Sequence, residues 1–395
     1  MNDSSVQAIG VDWKATQRRA LLVTLFGVVA CAVGALISPQ HFLRGFLVAW
    51  NFWAGISLGA LALLMIQYVT GGAWGLLLCR IFEAASANIA LMAILFLILA
   101  IDLPAVYEWA RPEAVASSQA LQHKAPYLNP HAFGIRAAIY FMLWIAIAWS
   151  LKAWSQKQDR TGPSAVLADR CRLLSGPGLA IYGATVTFAS IDWVMSLEPL
   201  WYSTIFPPLY AIGQILSGMA FSVAVILLLA REGPLSKTVL PSQRRDLGNL
   251  LLAFVMFWAY LSFSQFLIIW SENMPEETVW YFNRIRGGWQ WIAIALIIFE
   301  FAVPFLLLLS RETKTSLQRL TGVALLVLAL RVVDIYWWVE AAYVEPMSFY
   351  WLIDLAALAA IGGVWVWCFI WQLQRHSLIP FADPYISEYL PEVAT

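Results

Sequence analysis

Long apolar stretches recur along the chain and are separated by shorter polar connections. A membrane span needs about 20 predominantly apolar residues, and ten stretches approach or exceed that length. They run approximately over Ala20–Ile37, Phe46–Tyr68, Trp74–Ala100, His131–Trp154, Pro177–Leu197, Ile205–Ala230, Leu247–Trp270, Trp289–Ser310, Leu320–Val344 and Met347–Leu373. The pattern predicts an all-α integral membrane protein with ten transmembrane helices in residues 20–373, and with residues 1–19 and 374–395 outside the membrane.

Two of the apolar stretches contain carboxylates at matching positions. Asp192 is followed six residues later by Glu198, and Asp334 is followed six residues later by Glu340. The number of residues from Asp192 to Asp334 equals the number from Glu198 to Glu340, which indicates a duplicated unit. We therefore predict two parallel-related four-helix bundles, residues 46–197 with helices 2–5 and residues 205–344 with helices 6–9, flanked by helices 1 and 10.

Charged side chains at bilayer depth are the candidate functional groups. A carboxylate there costs roughly 2.5–3.5 kcal/mol on insertion scales, so a chain that keeps several of them is expected to use them. The candidate proton-relay acids are Glu83, Asp192, Glu198, Glu300, Asp334, Glu340 and Asp354. The candidate arginines that tune these acids or form ion pairs with them are Arg80, Arg136 and Arg331.

Structural ion pairing is the alternative interpretation of these charges. Arg80 precedes Glu83 by three residues, and Arg331 precedes Asp334 by three, so each pair lies on one face of a predicted helix. Asp192 has no cation nearby in the sequence, which favours a functional role for it.

A proline lies close to one of the candidate acids. Pro304 follows Glu300 by four residues, and a proline inside a helix removes a backbone hydrogen bond. We therefore expect the eighth helix to be kinked near this acid.

Several polar groups are predicted to lie near the outer ends of their helices. With a rise of about 1.5 Å per residue, Asp192, Arg136, His131 and Asn51 fall at similar depth. A quinol headgroup needs hydrogen-bond partners for its hydroxyls and an acceptor for its protons. These four residues therefore form a candidate quinol-binding set.

Two long connections are predicted on the outer side, in residues 101–130 and 271–288. Connections of this length either cap the helices and pack against other subunits, or are solvated loops. The sequence leaves both interpretations open.

Composition and charge distribution support the membrane assignment and narrow the function. The chain is 61% hydrophobic and 12% charged, whereas about 25% charged residues are usual in soluble proteins. Lys and Arg concentrate in the connections on the side of the termini, which predicts cytoplasmic termini.

The formal net charge of +0 gives no indication of nucleic-acid binding. No His lies in the middle of an apolar stretch and the four Cys lack metal-site spacing, so we expect no metal, haem or other redox centre in this chain.

Three stretches of the chain carry a family resemblance. They read IDWVMSLEPLWYSTIF at Ile191–Phe206, SENMPEETVWY at Ser271–Tyr281 and LIPFADPYISEYL at Leu378–Leu390. The chain thereby resembles the ActF family of membrane subunits of alternative complex III, within the wider NrfD-like, polysulfide-reductase-type group.

The resemblance implies a role in a bacterial quinol:electron-acceptor oxidoreductase of the cytoplasmic membrane. It implies a paralogous membrane subunit, an iron–sulfur subunit and c-type cytochrome subunits as partners, with a terminal oxidase as a further possible one. Haem c and iron–sulfur clusters are then expected in those partners, and quinol or menaquinol is the expected reductant. Membrane lipids surround the helices, and no nucleic acid is expected.

Four hypotheses for function follow from the residues and the resemblance. The first is a membrane subunit that conducts protons through its buried acids and anchors its partners. The second is that this chain itself binds quinol at the outer polar set. The third is a stand-alone secondary transporter with a charged site in the membrane, because ten helices and parallel repeats also fit that class. The fourth is a purely structural anchor in which every buried charge is paired.

Overall fold

The computed structural model describes residues 12–231, 238–345, 350–375 and 377–389. Every regular element in these ranges is a helix. Most of the predicted N-terminal segment, the first residues of the predicted tenth stretch and the end of the tail motif, including Met347 and Leu390, lie outside the described residues. The prediction of an all-α chain is confirmed for the described part.

Ten of the described helices are long and apolar enough to span a membrane. They are α1 (Trp13–Ile37), α2 (Pro39–Thr70), α3 (Ala73–Leu99), α4 (Pro130–Thr161), α5 (Ala165–Leu197), α6 (Phe206–Leu229), α7 (Pro241–Glu272), α8 (Trp289–Leu309), α9 (Leu317–Tyr343) and α10 (Trp351–Leu373). The protein is therefore a multi-pass membrane protein. We call the end of the bundle where α10 ends the tail side, and the opposite end the far side.

Several helices extend well beyond the apolar stretches that predict them. The helix α5 begins at Ala165, well before the apolar stretch Pro177–Leu197 that predicts it, and contains Pro177 in its interior. Ser164 caps α5 by accepting a hydrogen bond from the backbone N–H of Leu167. Hydropathy identifies only the part of a helix that contacts hydrocarbon, so it does not predict polar helical turns outside the membrane. Capping residues mark such ends instead.

Both long connections cap the far side of the bundle. Residues 101–129 contain short helices, and the buried Tyr107 donates from its hydroxyl to the carbonyl of Trp193 at the end of α5, over 3.1 Å. Lys124 Nζ donates to the carbonyl of Pro199 over 2.6 Å. The second connection contains the helix Pro275–Arg284, whose Trp280 is buried. These contacts favour the capping interpretation over solvated loops.

The helices contact one another in two cyclic groups. In the first group α2 contacts α3, α3 contacts α4, α4 contacts α5, and α5 contacts α2. In the second group α6, α7, α8 and α9 contact one another in the same order. The remaining two helices, α1 and α10, pack against each other. The parallel relationship between the two groups stays a prediction.

The two groups meet where α2 packs against α6, and glycines set this contact. A Cβ atom on Gly59 would lie 1.9 Å from the carbonyl oxygen of Gln214, and one on Gly218 would lie 2.7 Å from the amide nitrogen of Ala60. Small residues allow membrane helices to approach closely, so that van der Waals packing stabilises the contact. The position of α6 relative to α2 depends on these glycines.

Replacing Gly59 with alanine is expected to destabilise the protein by about 1–3 kcal/mol, because the added methyl group forces α2 and α6 apart. The matched control is Gly183→Ala on α5, where an added Cβ meets no atom within 4 Å. That control should be neutral or stabilising by roughly 0.5–1 kcal/mol through lower backbone entropy of the unfolded chain. Thermal unfolding of both variants in detergent measures the difference, and equal midpoints would contradict the packing described.

Candidate proton-transfer site

A cluster of three charged groups lies in the centre of the helical bundle. Arg331 on α9 donates from Nη1 to Glu300 Oε1 on α8 over 3.1 Å, and the same atom hydrogen-bonds Asp334 Oδ2 one turn further along α9. Trp258 Nε1 on α7 donates to Asp334 Oδ2 over 3.2 Å. Glu300, Arg331 and Asp334 are exposed by 0%, 1% and 2% respectively, so water does not compensate their charges.

Glycine also makes room for this central cluster. A Cβ atom on Gly213 of α6 would lie 2.3 Å from Arg331 Nη2. The guanidinium group therefore packs directly against the α6 backbone, so α6 contributes to the cluster by leaving space for it.

The backbone around Glu300 is unusual. Residues Leu296–Ala302 form a π-helical turn within α8. Pro304 has no backbone N–H and cannot donate to the carbonyl of residue 300 as an α-helix would require. The sequence predicts a disturbance of α8 at this place, and the structure shows it as a widened turn. Such turns occur frequently at functional sites.

Charge balance gives the central cluster its chemistry. One guanidinium group faces two carboxyl groups, so two ionised acids would leave one uncompensated negative charge in an apolar environment. Such a charge costs several kcal/mol, and sharing one proton between Glu300 and Asp334 removes it. Glu300 Oε2 is buried and has no hydrogen-bond partner among the described residues, which leaves a position for that proton. The cluster can therefore hold one exchangeable proton.

A second cluster, in which one arginine binds two carboxyl groups, lies on the tail side. Arg80 on α3 donates to Glu83 Oε2 over 2.9 Å, to Ser155 Oγ over 2.7 Å and to both carboxylate oxygens of Asp159 over 2.5 and 2.7 Å. Tyr68 donates from its hydroxyl to Glu83 Oε1 over 3.4 Å. The predicted Arg80–Glu83 pair is present. Ser155 and Asp159 were missed, because they reach the cluster from α4 and nothing in the local sequence marks them.

Asp192 lies on the far side and has a full counter-charge. Arg136 on α4 donates from Nε and Nη2 to the two carboxylate oxygens over 2.9 and 2.7 Å, and Tyr140 donates to Oδ2 over 2.9 Å. The ring of Tyr127 lies 3.8 Å from the guanidinium carbon of Arg136. Asp192 has no cation nearby in sequence, but the neighbouring helix supplies one. This bidentate arrangement favours a stable ion pair.

The candidate quinol-binding set is only partly brought together. Arg136 and Asp192 are in contact. Asn51 on α2 is instead buried against α6, where its Oδ1 accepts a hydrogen bond from the Tyr210 hydroxyl over 2.7 Å. His131 is exposed in the first turn of α4. Within the described residues, no hydrogen bond or ion pair joins Asn51 or His131 to Asp192.

Glu340 and Asp354 lie together on the far side, beside a small cavity lined by both carboxyl groups. The cavity is also lined by Glu345, which is 3.1 Å from Arg44 Nη1 and 3.3 Å from His41 Nε2. Glu340 Oε1 is buried and has no hydrogen-bond partner among the described residues. The sequence reasoning identified the two acids but missed the other three residues. The signal available was the spacing of His41 and Arg44 at the start of α2.

Glu198 is held firmly outside the membrane helices. It accepts from Arg284 Nη1 over 2.7 Å and from Asn283 Nδ2 over 3.0 Å, while Arg284 Nη2 donates to the carbonyl of Trp338 over 2.7 Å. Burial lowers the pKa of Arg284 below its usual value, and the negative charge of Glu198 opposes that shift. These contacts join the connection after α5 to the helix Pro275–Arg284 and to α9, which favours a structural role for Glu198.

Comparison with protein-family models and with curated protein sequences finds no match for this chain. The resemblance to the ActF family therefore stays a prediction that rests on the three sequence stretches. In the described part of the chain, no three His, Cys, Asp or Glu side chains are arranged to hold a metal ion.

Replacing Arg331 with methionine is expected to destabilise the protein by about 3–5 kcal/mol, because two buried carboxyl groups lose their cation. Asp334→Asn should cost clearly less, since Arg331 and Glu300 remain as a neutral pair. Unfolding of the purified variants in detergent measures both losses. The control is Arg319→Met in the exposed pair Arg319–Glu312, which should cost about 0–1 kcal/mol. Similar losses for Arg331→Met and Asp334→Asn would refute the charge balance.

Proposed function

We propose that the chain is a proton-conducting membrane subunit of a bacterial quinol-oxidising respiratory complex of the alternative complex III type. The observation that carries the proposal is the central cluster, in which two buried acids bind one arginine. From this ratio we infer that the two acids share one exchangeable proton. Ionisable groups inside membrane proteins are costly and commonly mark proton pathways. The structural-anchor hypothesis predicts a paired charge for every acid, and the central cluster has one acid in excess.

The position of the clusters supports proton movement along the bundle. The Arg80–Glu83–Asp159 cluster lies on the tail side, the central cluster follows, and Glu340 and Asp354 lie on the far side. Ionisable groups at three depths divide the proton path across the membrane into shorter transfers, and water and hydroxyl groups can carry the proton between them.

Hydroxyl and amide groups extend the central cluster towards the first helical group. Gln214 follows Gly213, which contacts Arg331, and its Oε1 accepts from the Tyr182 hydroxyl on α5 over 3.0 Å. Tyr210, one turn earlier on α6, donates to Asn51 on α2. These contacts provide polar groups between helices that otherwise bury apolar side chains. We assign them a supporting role in the pathway.

The clusters receive different roles in this proposal. Glu300 and Asp334 hold the transferred proton, and Arg331 stabilises the remaining negative charge. Glu83 exchanges protons on the tail side, where Arg80 stabilises it. The far-side acids release the proton. Asp192 and Glu198, each with its own arginine, maintain the far-side structure and contribute less to transfer.

The assignment to a complex rests on the resemblance to the ActF family. We propose that the chain lies in the bacterial cytoplasmic membrane with both termini in the cytoplasm. Its partners would be a paralogous membrane subunit, an iron–sulfur subunit and c-type cytochromes, which carry the electrons from quinol. Purification of the tagged chain from its native membrane in mild detergent tests this part. Co-purifying c-type haem absorbance and quinol oxidation support it, and a lone colourless protein contradicts it.

Glu300→Gln and Asp334→Asn are each expected to lower the ratio of protons moved to electrons transferred, because each replacement leaves the central cluster neutral without an exchangeable proton. Electron transfer should continue in the partner subunits. The ratio is measured with the purified complex in sealed vesicles, using a pH indicator and a quinol substrate. The control is Glu312→Gln at the exposed end of the bundle. A ratio equal to wild type in both central variants would rule out this pathway.

A further inference from the structure

The segment that follows α10 folds back onto the tail side of the bundle. Its Leu378, Ile379 and Ile386 are buried and pack within the same hydrophobic core as the membrane helices. Gln158 Nε2 near the end of α4 donates to the carbonyl of Ala382 over 2.9 Å. Apolar burial combined with a long-range hydrogen bond shows that this segment is docked on the bundle.

The docked segment lies beside the tail-side cluster. Gln158, which binds the segment, is adjacent in sequence to Asp159, which binds Arg80. Asp383 interacts electrostatically with Arg80 and with the buried thiol of Cys79. Burial raises the pKa of Asp383 above its usual value, while the N–H of Tyr385 and the charge of Arg80 oppose that rise. A third carboxyl group thus lies within electrostatic range of Arg80, although no ion pair joins the two residues among the described contacts.

Two buried thiols lie in the same region and can report on it. Cys79 is exposed by 3% and donates from its thiol to Glu83 Oε1 over 3.5 Å. Cys171 on α5 is exposed by 1%, and it too interacts electrostatically with Asp383. Both thiols are therefore near the cluster and near the docked segment. Cys31 is buried against α10 in the far-side half of α1 and serves as a distant reference.

We infer that residues 377–389 form a seal that separates the buried Arg80 and Glu83 from water on the tail side and leaves Asp159 partly exposed. Asp383 is the carboxyl group that the segment brings within electrostatic range of Arg80. Excluding water strengthens the interactions between charges, because the local dielectric constant falls. The inference goes beyond the proposed function, since it concerns water access and does not depend on proton conduction. If the chain does conduct protons, opening of this segment limits their exchange on the tail side.

The seal is tested by thiol labelling of the full-length protein with a water-soluble maleimide, followed by peptide mass spectrometry. The variant Ile379→Glu combined with Ile386→Glu places two charges in the apolar contact and should release the segment. We expect Cys79 and Cys171 to react about tenfold faster or more, as buried groups do when a local element opens, and Cys31 to keep its wild-type rate.

A milder variant covers the case in which the double replacement disturbs the whole fold and exposes Cys31. Gln158→Ala removes only the hydrogen bond to Ala382, so Cys79 and Cys171 should react moderately faster while Cys31 stays unchanged. The matched control is Gln122→Ala, which removes a similar hydrogen bond to Ala116 in the far-side connection and should leave all three rates unchanged. Wild-type rates at Cys79 and Cys171 in Gln158→Ala, or in a double variant that keeps Cys31 protected, would overturn the inference.

Discussion

Buried charges must be compensated within the bundle, because the surrounding lipid and apolar side chains offer no hydrogen bonds. Ion pairs and hydrogen bonds between helices meet this requirement, and they fix the relative positions of helices more specifically than hydrophobic contacts do. Arg331 is the clearest case. It binds Glu300 on α8, and its guanidinium group fits against α6 only because Gly213 has no side chain. The π-helical turn of α8 carries Glu300 at this contact. The geometry of the second helical group therefore depends on one guanidinium group.

The ratio of acids to arginines separates two kinds of cluster. Arg136 with Asp192 and Arg284 with Glu198 are one-to-one pairs with additional hydrogen bonds, which suits a permanent role in holding far-side segments together. Arg331 faces two fully buried carboxyl groups, whereas Arg80 binds the buried Glu83 and the partly exposed Asp159. An excess acid cannot stay ionised at low cost where water is excluded. Proton binding is thus a consequence of stoichiometry at the Arg331 cluster, and the proposed function builds on it.

Hydropathy was sufficient to predict the ten helices, because each must present about 20 apolar residues to the membrane. The pairs Arg331–Asp334 and Arg80–Glu83 were also predictable, since their spacing places them on one helix face. Helix depth also placed Arg136 at the level of Asp192. The association of Glu300 and Asp159 with their arginines was not predictable, because these acids come from other helices and single-sequence patterns do not report which helices meet. The apolar stretch that begins at Pro177 did not indicate where α5 itself begins, because polar turns extend that helix beyond the stretch.

Infrared difference spectroscopy of the full-length protein tests the central claim most directly, because a protonated carboxyl group has its own carbonyl absorption. The claim predicts such a band at neutral pH from an acid in a water-poor site, with a small shift after exchange into deuterated buffer. Either Glu300→Gln or Asp334→Asn should remove one component of this absorption, because the remaining acid then forms a neutral pair with Arg331, while any component from Glu340 or Asp354 stays. Wild-type and variant spectra that show no loss of a carbonyl component for either replacement would contradict the shared proton.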